Sequence, residues 1–176
     1  MSARSSQKGV GMVEVLVALI ILAIGVLGYV MLQVRAMEAT VEGTQRIQAI
    51  NIARDLAERV RVNRSGWTFG STPKSYFTEL SDEAKQKDSN GKNCASVACT
   101  PSELADYDVN EIYNYSLQYG MKLGMEACPG TAAGTRYCLF VAWGDTLPSN
   151  SSSNTNSCVN GNAYRANSTC VMMEVY

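Results

Sequence analysis

The chain has 176 residues, enough for one modest domain, and its 15 Lys+Arg against 16 Asp+Glu leave it almost neutral. That balance argues against a basic nucleic-acid binder and against an acidic disordered tail. There is no histidine, which closes Ser-His-Asp, Cys-His and His-ligated metal chemistry, so neither a catalytic centre nor a cofactor is expected.

The first nine residues, MSARSSQKG, are polar and carry Arg4 and Lys8. An apolar run comes next, and residues 15–32 carry no charge. With the residues just before it the run reaches about 20 positions, which at about 1.5 Å per residue spans a hydrocarbon core of about 30 Å. Basic residues ahead of the run keep the N-terminus cytoplasmic and send the chain beyond the run across the membrane. A buried core helix is disfavoured by the length and uniformity of the run. A cleaved secretory signal is disfavoured because no small-x-small site lies after it and the helical pattern continues past its end. Glu14 is the one residue that a plain anchor does not explain. A carboxylate placed toward a membrane interior costs several kcal/mol unless it is paired or protonated.

After Leu32 the pattern turns amphipathic. Val34, Met37, Val41, Ala49, Ala53, Leu56 and Val60 recur mostly at intervals of three and four, and Glu42/Arg46 and Asp55/Arg59 are spaced for i,i+4 pairs. One helix is expected over residues 10–63, ending near Ser65-Gly66. Residues 66–93 are rich in Ser, Thr, Gly, Asn and Lys and read as a surface loop with one short helix. Thr100 is an N-cap, Pro101 takes the first helical position and Glu103 completes a capping box, so a second helix starts there. Residues 109–125 carry both patterns. Tyr113, Tyr115, Leu117 and Tyr119 alternate as in a strand, while Val109, Ile112, Tyr113, Leu117 and Met121 fit a helix. Helix is preferred, since nothing before Gly120 stops it. Residues 135–143 and 169–176 read as strands, and 148–167 as a long polar loop.

Six cysteines, Cys94, Cys99, Cys128, Cys138, Cys158 and Cys170, all lie in the second half. Behind a membrane-targeting N-terminus, an even number reads as a disulfide framework in an oxidising compartment. Fifteen connectivities are open; spacing favours Cys94–Cys99, Cys128–Cys138 and Cys158–Cys170, each stabilising by about 2–3 kcal/mol in the chain-entropy view. A four-cysteine zinc site is the weaker reading, for want of a paired C-x-x-C. Asp106-x-Asp108-x-Asn110 resembles the opening of a calcium loop, but Glu111 replaces the needed glycine and Leu117 the closing glutamate. Arg54, Arg59, Arg61 and Arg64 cluster at the end of the long helix, where solvation is the ordinary reading and nucleic acid a disfavoured one. Asn63-Arg64-Ser65 and Asn167-Ser168-Thr169 match the glycosylation acceptor, a match of little weight in a bacterial chain.

Lys8-Gly9-Val10-Gly11-Met12-Val13-Glu14, running into the apolar segment, resembles the leader junction of type IV prepilins and pseudopilins. In that family a short basic leader ends in glycine, a dedicated peptidase cuts after it and methylates the new amine, and the fifth mature residue is glutamate. The resemblance implies cleavage between Gly9 and Val10, N-methylation of Val10 and an assembly role for Glu14, whose carboxylate would meet the amine of a neighbouring subunit. Val10, Gly11 and Met12 depart from the usual phenylalanine, threonine and leucine. Residues 53–64 and the stretch Cys94…Cys99-Thr100-Pro101-Ser102-Glu103-Leu104-Ala105…Asp108 are similar to the PilV-type minor pilins. The implied fold is α+β and type IV pilin-like, with a long N-terminal helix (membrane half plus amphipathic half) on a small antiparallel sheet with disulfide-bounded loops. Its parts are a leader (1–9), a transmembrane or filament-core helix (10–32), an amphipathic continuation (33–65) and a globular head (66–176). The implied partners are the prepilin peptidase, other minor and major pilins and the inner membrane. The chain would sit there in a single pass with a periplasmic head and then move to the pilus. Rival readings are a minor pseudopilin of a type II secretion system and an anchored periplasmic binding module that does not polymerise.

Overall fold

A computed structural model describes residue 9 and residues 11–67, 75–89, 91–131 and 136–175. The chain divides between Gly43 and Thr44 into two compact units. In the first, helix α1 (Met12–Val62) begins, and every described residue from Gly11 to Gly43 is exposed. The second unit is the head. Its core begins on the later turns of α1, where Ala49, Ile52, Ala53, Leu56, Ala57 and Val60 are buried. Their spacing of three, then one, then three places them on a single helical face. Three of the six are alanines set four apart, which keeps that face low. Val10, the expected first helical residue, lies outside the described residues. The helix ends at Val62, and a 3₁₀ turn (Arg64–Trp67) comes after it.

Residues 66–93 hold more structure than the expected loop with one helix. Two short helices, α2 (Tyr76–Leu80) and α3 (Glu83–Lys87), succeed the 3₁₀ turn, capped by Ser75 and Asp82. Tyr76 and Leu80 join the core, and Trp67 and Phe77 each meet the ring of Tyr137 edge-on, at 5.4 and 5.0 Å. Helices of five residues are too short to show a period, so composition alone reads as loop.

Helix α4 (Pro101–Leu117) starts on the expected capping box, with the Thr100 side chain accepting from the Glu103 amide and the Glu103 side chain accepting from the Thr100 amide. It stops at Leu117, and Gly120, with φ +65°, turns the chain. The preference for helix across 109–125 therefore holds only to Leu117; strand β1 (Met121–Ala127) occupies the rest. Ser116 makes the switch by donating from its hydroxyl to the carbonyls of Tyr113 (2.8 Å) and Met121 (3.2 Å).

Strands β1, β2 (Tyr137–Trp143) and β6 (Cys170–Glu174) form an antiparallel sheet in the order β1-β2-β6. β2 is buried along its whole length, as a central strand covered on both faces should be. Alternation sends Tyr137, Leu139, Val141 and Trp143 into the core shared with α1 and α4. Cys138, Phe140 and Ala142 enter a second cluster with Cys128, Cys158, Val159 and Cys170. That second cluster is covered by segment 148–167, expected as loop. The structure builds from it β3 (Leu147–Asn150), β4 (Ser157–Asn160) and β5 (Ala163–Tyr164), with β3 and β4 parallel and β4 and β5 antiparallel. These strands are short and polar and leave no alternation to read. They are held by Arg165, whose Nε donates to Ser157 Oγ (2.9 Å) and Nη2 to the Ser151 carbonyl (2.8 Å). Disulfides join Cys94–Cys99, Cys128–Cys138 and Cys158–Cys170. The last two are themselves the centre of the second cluster.

Leu56 is fully buried in the main core. Leu56→Ala is expected to cost about 2–5 kcal/mol of head stability in urea titration. Val62→Ala, at an exposed position six residues on, should stay within about 0.5 kcal/mol of the parent.

Candidate functional site

The functional residues expected from the sequence fall in two places, the start of α1 and the head. At the start, Gly9 is exposed and Val10 lies outside the described residues. The Gly11 carbonyl opens the helix, accepting from the amides of Glu14 (2.9 Å) and Val15 (3.3 Å). Glu14 is thereby fixed in the first helical turn. A carboxylate there faces the positive end of the helix dipole, which favours its ionised form. Among the described residues, Glu14 makes no ion pair.

Behind Glu14 the surface is apolar all round: Leu16, Leu19, Ile20, Ile21, Leu27 and Val30 point in different directions and all are exposed. Among the described residues this is the one helix long and apolar enough to cross a membrane. The next charged side chain is Arg35, paired with Glu38 at 3.1 Å. A sleeve of this kind requires an apolar surrounding, either acyl chains or other helices. Its terminal carboxylate requires a cation there.

In the head, Arg59 gathers carboxylates from two helices. Its Nε reaches Asp55 at 3.0 Å, and Nη1 reaches Asp108 at 2.9 Å and Glu111 at 2.6 Å. Burial works against the Arg59 charge, but the hydrogen bonds to Asp55, Glu111 and Asp108 outweigh it and hold the guanidinium protonated. Tyr76 donates its hydroxyl to the second oxygen of Asp108. Burial first, and Asp108 second, push the Tyr76 phenol well above its ordinary range. Asn63 completes the network, donating to the Pro101 carbonyl (2.8 Å) and to Tyr76 Oη (3.3 Å). The cluster therefore ties the end of α1 to α2 and α4, and its chemistry is structural.

The residues that resemble a calcium loop do not converge. Asp108 is held by Arg59 and Tyr76, while Asn110 donates to the carbonyls of Gln86 and Lys87. Among the described residues, no group of three or more His, Cys, Asp or Glu side chains is arranged to hold a metal. Of the helix-end arginines, Arg54, Arg61 and Arg64 are exposed, whereas Arg59 is engaged. Asn63 of the glycosylation-type triplet is buried in the network. The sequence had offered Tyr76 and Asn63 no such role; both act through contacts with residues distant in the chain.

The α4 cap carries the strongest exposed electrostatics. Lys92 Nζ lies 2.8 Å from both Glu103 oxygens. That contact, then the Thr100 amide and hydroxyl, hold the Glu103 carboxyl down at about 2. The Cys94–Cys99 disulfide closes the loop immediately before the cap.

Residues 4–30 match the family model of the prokaryotic N-terminal methylation motif. Residues 31–110 match the Tt1218-like family, described as type IV pilin Tt1218. The first match contains Gly9, Glu14 and most of the apolar sleeve. The second contains the amphipathic part of α1, α2, α3, the Cys94–Cys99 loop and every member of the Arg59 network except Glu111. No curated protein and no solved structure matches the chain.

Glu103 titrates from 4.5 when unfolded to about 2 when folded. A lowered folded value means that its stabilisation is complete above pH 4.5 and is lost as pH falls toward 2. Glu103→Gln should lower the melting temperature at neutral pH, and the gap to the parent should close between pH 4.5 and 2 in a pH series of thermal melts.

Proposed function

We propose that this member of the type IV pilin-like superfamily is a minor pilin, made as a prepilin, cut between Gly9 and Val10, N-methylated at Val10 and built into a filament through its N-terminal helix. The observation that carries the reading is the conjunction at the start of α1. A glycine junction and a first-turn carboxylate stand at the head of an exposed apolar sleeve, and that same helix goes on to supply six buried residues to the head core. An anchor that only spans a membrane has no use for Glu14. A subunit that must leave the membrane in register does.

In this reading residues 1–9 are the leader, 10–32 the membrane and filament-core helix, 33–65 its amphipathic continuation and 66–176 the head. The new Val10 amine and the Glu14 carboxylate are each costly in an apolar medium and offset one another when they meet between neighbouring subunits. A slipped subunit leaves a charge unpaired, so the pair favours correct register. The chain does no chemistry itself; it is the substrate of the prepilin peptidase. The three disulfides suit a head that folds in the periplasm, with the chain held in the inner membrane before assembly. The likeness of residues 53–64 and 94–108 to PilV-type proteins supports low-abundance incorporation, in a priming complex with other minor pilins at the tip. Through that role the chain serves pilus assembly and with it twitching motility, adhesion or DNA uptake.

Intact mass and N-terminal analysis of the protein from its native membrane tests the first step. The expected chain begins at Val10, is heavier by one methyl group and lacks the six thiol hydrogens of three disulfides. A retained leader, or a cut beyond the apolar run, sinks the filament reading. Glu14→Ala should insert and be processed normally but be lost from sheared filaments; normal incorporation of that variant would refute the role given to the carboxylate.

A further inference from the structure

The free edge of β1 is the least explained surface of the head. β1 lies at the margin of its sheet, paired only with β2. The ladder hydrogen bond from the Cys128 amide to the Arg136 carbonyl, together with the register Glu126↔Cys138, Gly124↔Phe140 and Lys122↔Ala142, assigns the even-numbered residues to β2. The odd-numbered residues therefore turn their amides and carbonyls away from the sheet. Ser116 takes the Met121 carbonyl and Gln86 Nε2 takes the Leu123 carbonyl at 3.1 Å, which confirms the direction. The Leu123 amide and both backbone groups of Met125 have no partner among the described residues.

A groove of about 440 Å³ runs along this edge, lined by six consecutive residues of β1. On one side stand Phe77 and Leu117, both exposed, and on the other Pro148 of β3. Gly124 makes the β3 wall possible, since a Cβ there would collide with the Pro148 carbonyl. At the bottom lies Gln86, which is 2 % exposed. Its amide orientation is fixed: Nε2 donates to the carbonyls of Leu80 (3.2 Å) and Leu123 (3.1 Å), and only an NH₂ satisfies two carbonyls. Gln86 Oε1 is thus a buried acceptor, lining the groove, with no partner. Buried acceptors in folded proteins are normally satisfied.

We infer that this groove binds an extended segment of another subunit of the same filament, which adds to the free edge of β1 as a strand and donates a hydrogen bond to Gln86 Oε1. The free groups on Leu123 and Met125 recur every second residue, which is the repeat of an extended peptide and of no compact ligand. The apolar walls take its alternate side chains. Two carboxylates, Glu83 and Glu126, stand on the rim against one ammonium, Lys122, which is drawn to the Gly144 carbonyl at 2.9 Å. Charge complementarity therefore selects a segment carrying lysine or arginine. The identity of the partner as a filament subunit rests on the minor-pilin reading, whereas the peptide site does not.

The test uses the full chain in detergent micelles and a capped heptapeptide of alternating threonine and valine with lysine at both ends. Anisotropy of the dye-labelled peptide should show saturable binding, and amide exchange at Leu123 and Met125 should slow by about tenfold or more when bound. An analogue N-methylated at alternate residues should bind at least about tenfold more weakly, a loss of about 1.4 kcal/mol. Gln86→Met should weaken binding similarly; because that change also removes two hydrogen bonds inside the head, Leu117→Lys on the exposed rim serves as the second variant, with the same expected loss. No saturation below about 1 mM peptide, equal binding of the N-methylated analogue, or unchanged exchange at Leu123 and Met125 overturns the inference. Such a failure would leave the mass of the processed N-terminus, and the function read from it, untouched.

Discussion

The stripe Ala49, Ile52, Ala53, Leu56, Ala57 and Val60 on α1 is the surface against which the head is assembled. Its geometry limits everything placed on it. Alanines at 49, 53 and 57 lower the ridge, so β2 and α4 must supply the volume, and they do so with Leu139, Val141, Trp143, Ile112 and Tyr113. Close packing leaves little room for exchange between these groups. The Arg59 network stands at the end of the stripe and fixes where it stops. A guanidinium held by three carboxylates, with Tyr76 and Asn63 behind them, costs too much to bury unpaired. The network therefore specifies how α2 and α4 meet the helix end more than it adds net stability.

β2 carries the second constraint, because both of its faces are covered. One face completes the α1 core. The other needs a cover, and segment 148–167 is too polar and too short in its strands to provide an apolar layer of its own. Two disulfides supply it. Cys128–Cys138 and Cys158–Cys170 place four sulfur atoms beside Phe140, Ala142 and Val159, so the cross-links serve as core side chains as well as chain restraints. Their sequence separations of 10 and 12 keep the closed loops small, which limits the entropic contribution of each to about 3 kcal/mol.

How much the sequence disclosed depends on how local the determining physics is. The long helix, the Thr100 cap and the strands over 137–143 and 170–174 are written in periodicity or in neighbours three residues apart, and they were legible. The two short helices, β1 and the second sheet were not. Tyr76 is buried because of Asp108, and β1 extends because Gly120 turns the chain and Ser116 bonds across the turn. The 148–167 strands exist because Arg165 and Cys170 hold them. None of these partners is adjacent in sequence, and none leaves a period. The same holds for the sites. The Gly9–Glu14 junction is a local pattern and could be read directly, whereas the Gln86 acceptor and the free edge of β1 emerge only once the sheet order is known.

Along α1, the residues that would serve assembly and those that stabilise the head are disjoint. From Gly11 to Thr44 every residue is exposed, and burial begins only around Ala49. Substitutions at Glu14 and in the core thus lie more than thirty residues apart on one helix, share no partner, and should act additively. The separation has a physical origin. The sleeve must be stable in lipid, where apolar surface on every side is an advantage, while the head must be stable in water, where only one face of the helix is to be hidden. A single helix meets both demands by changing from uniform to one-sided patterning along its length, so that a defect of assembly in a Glu14 variant is separable from a defect of folding.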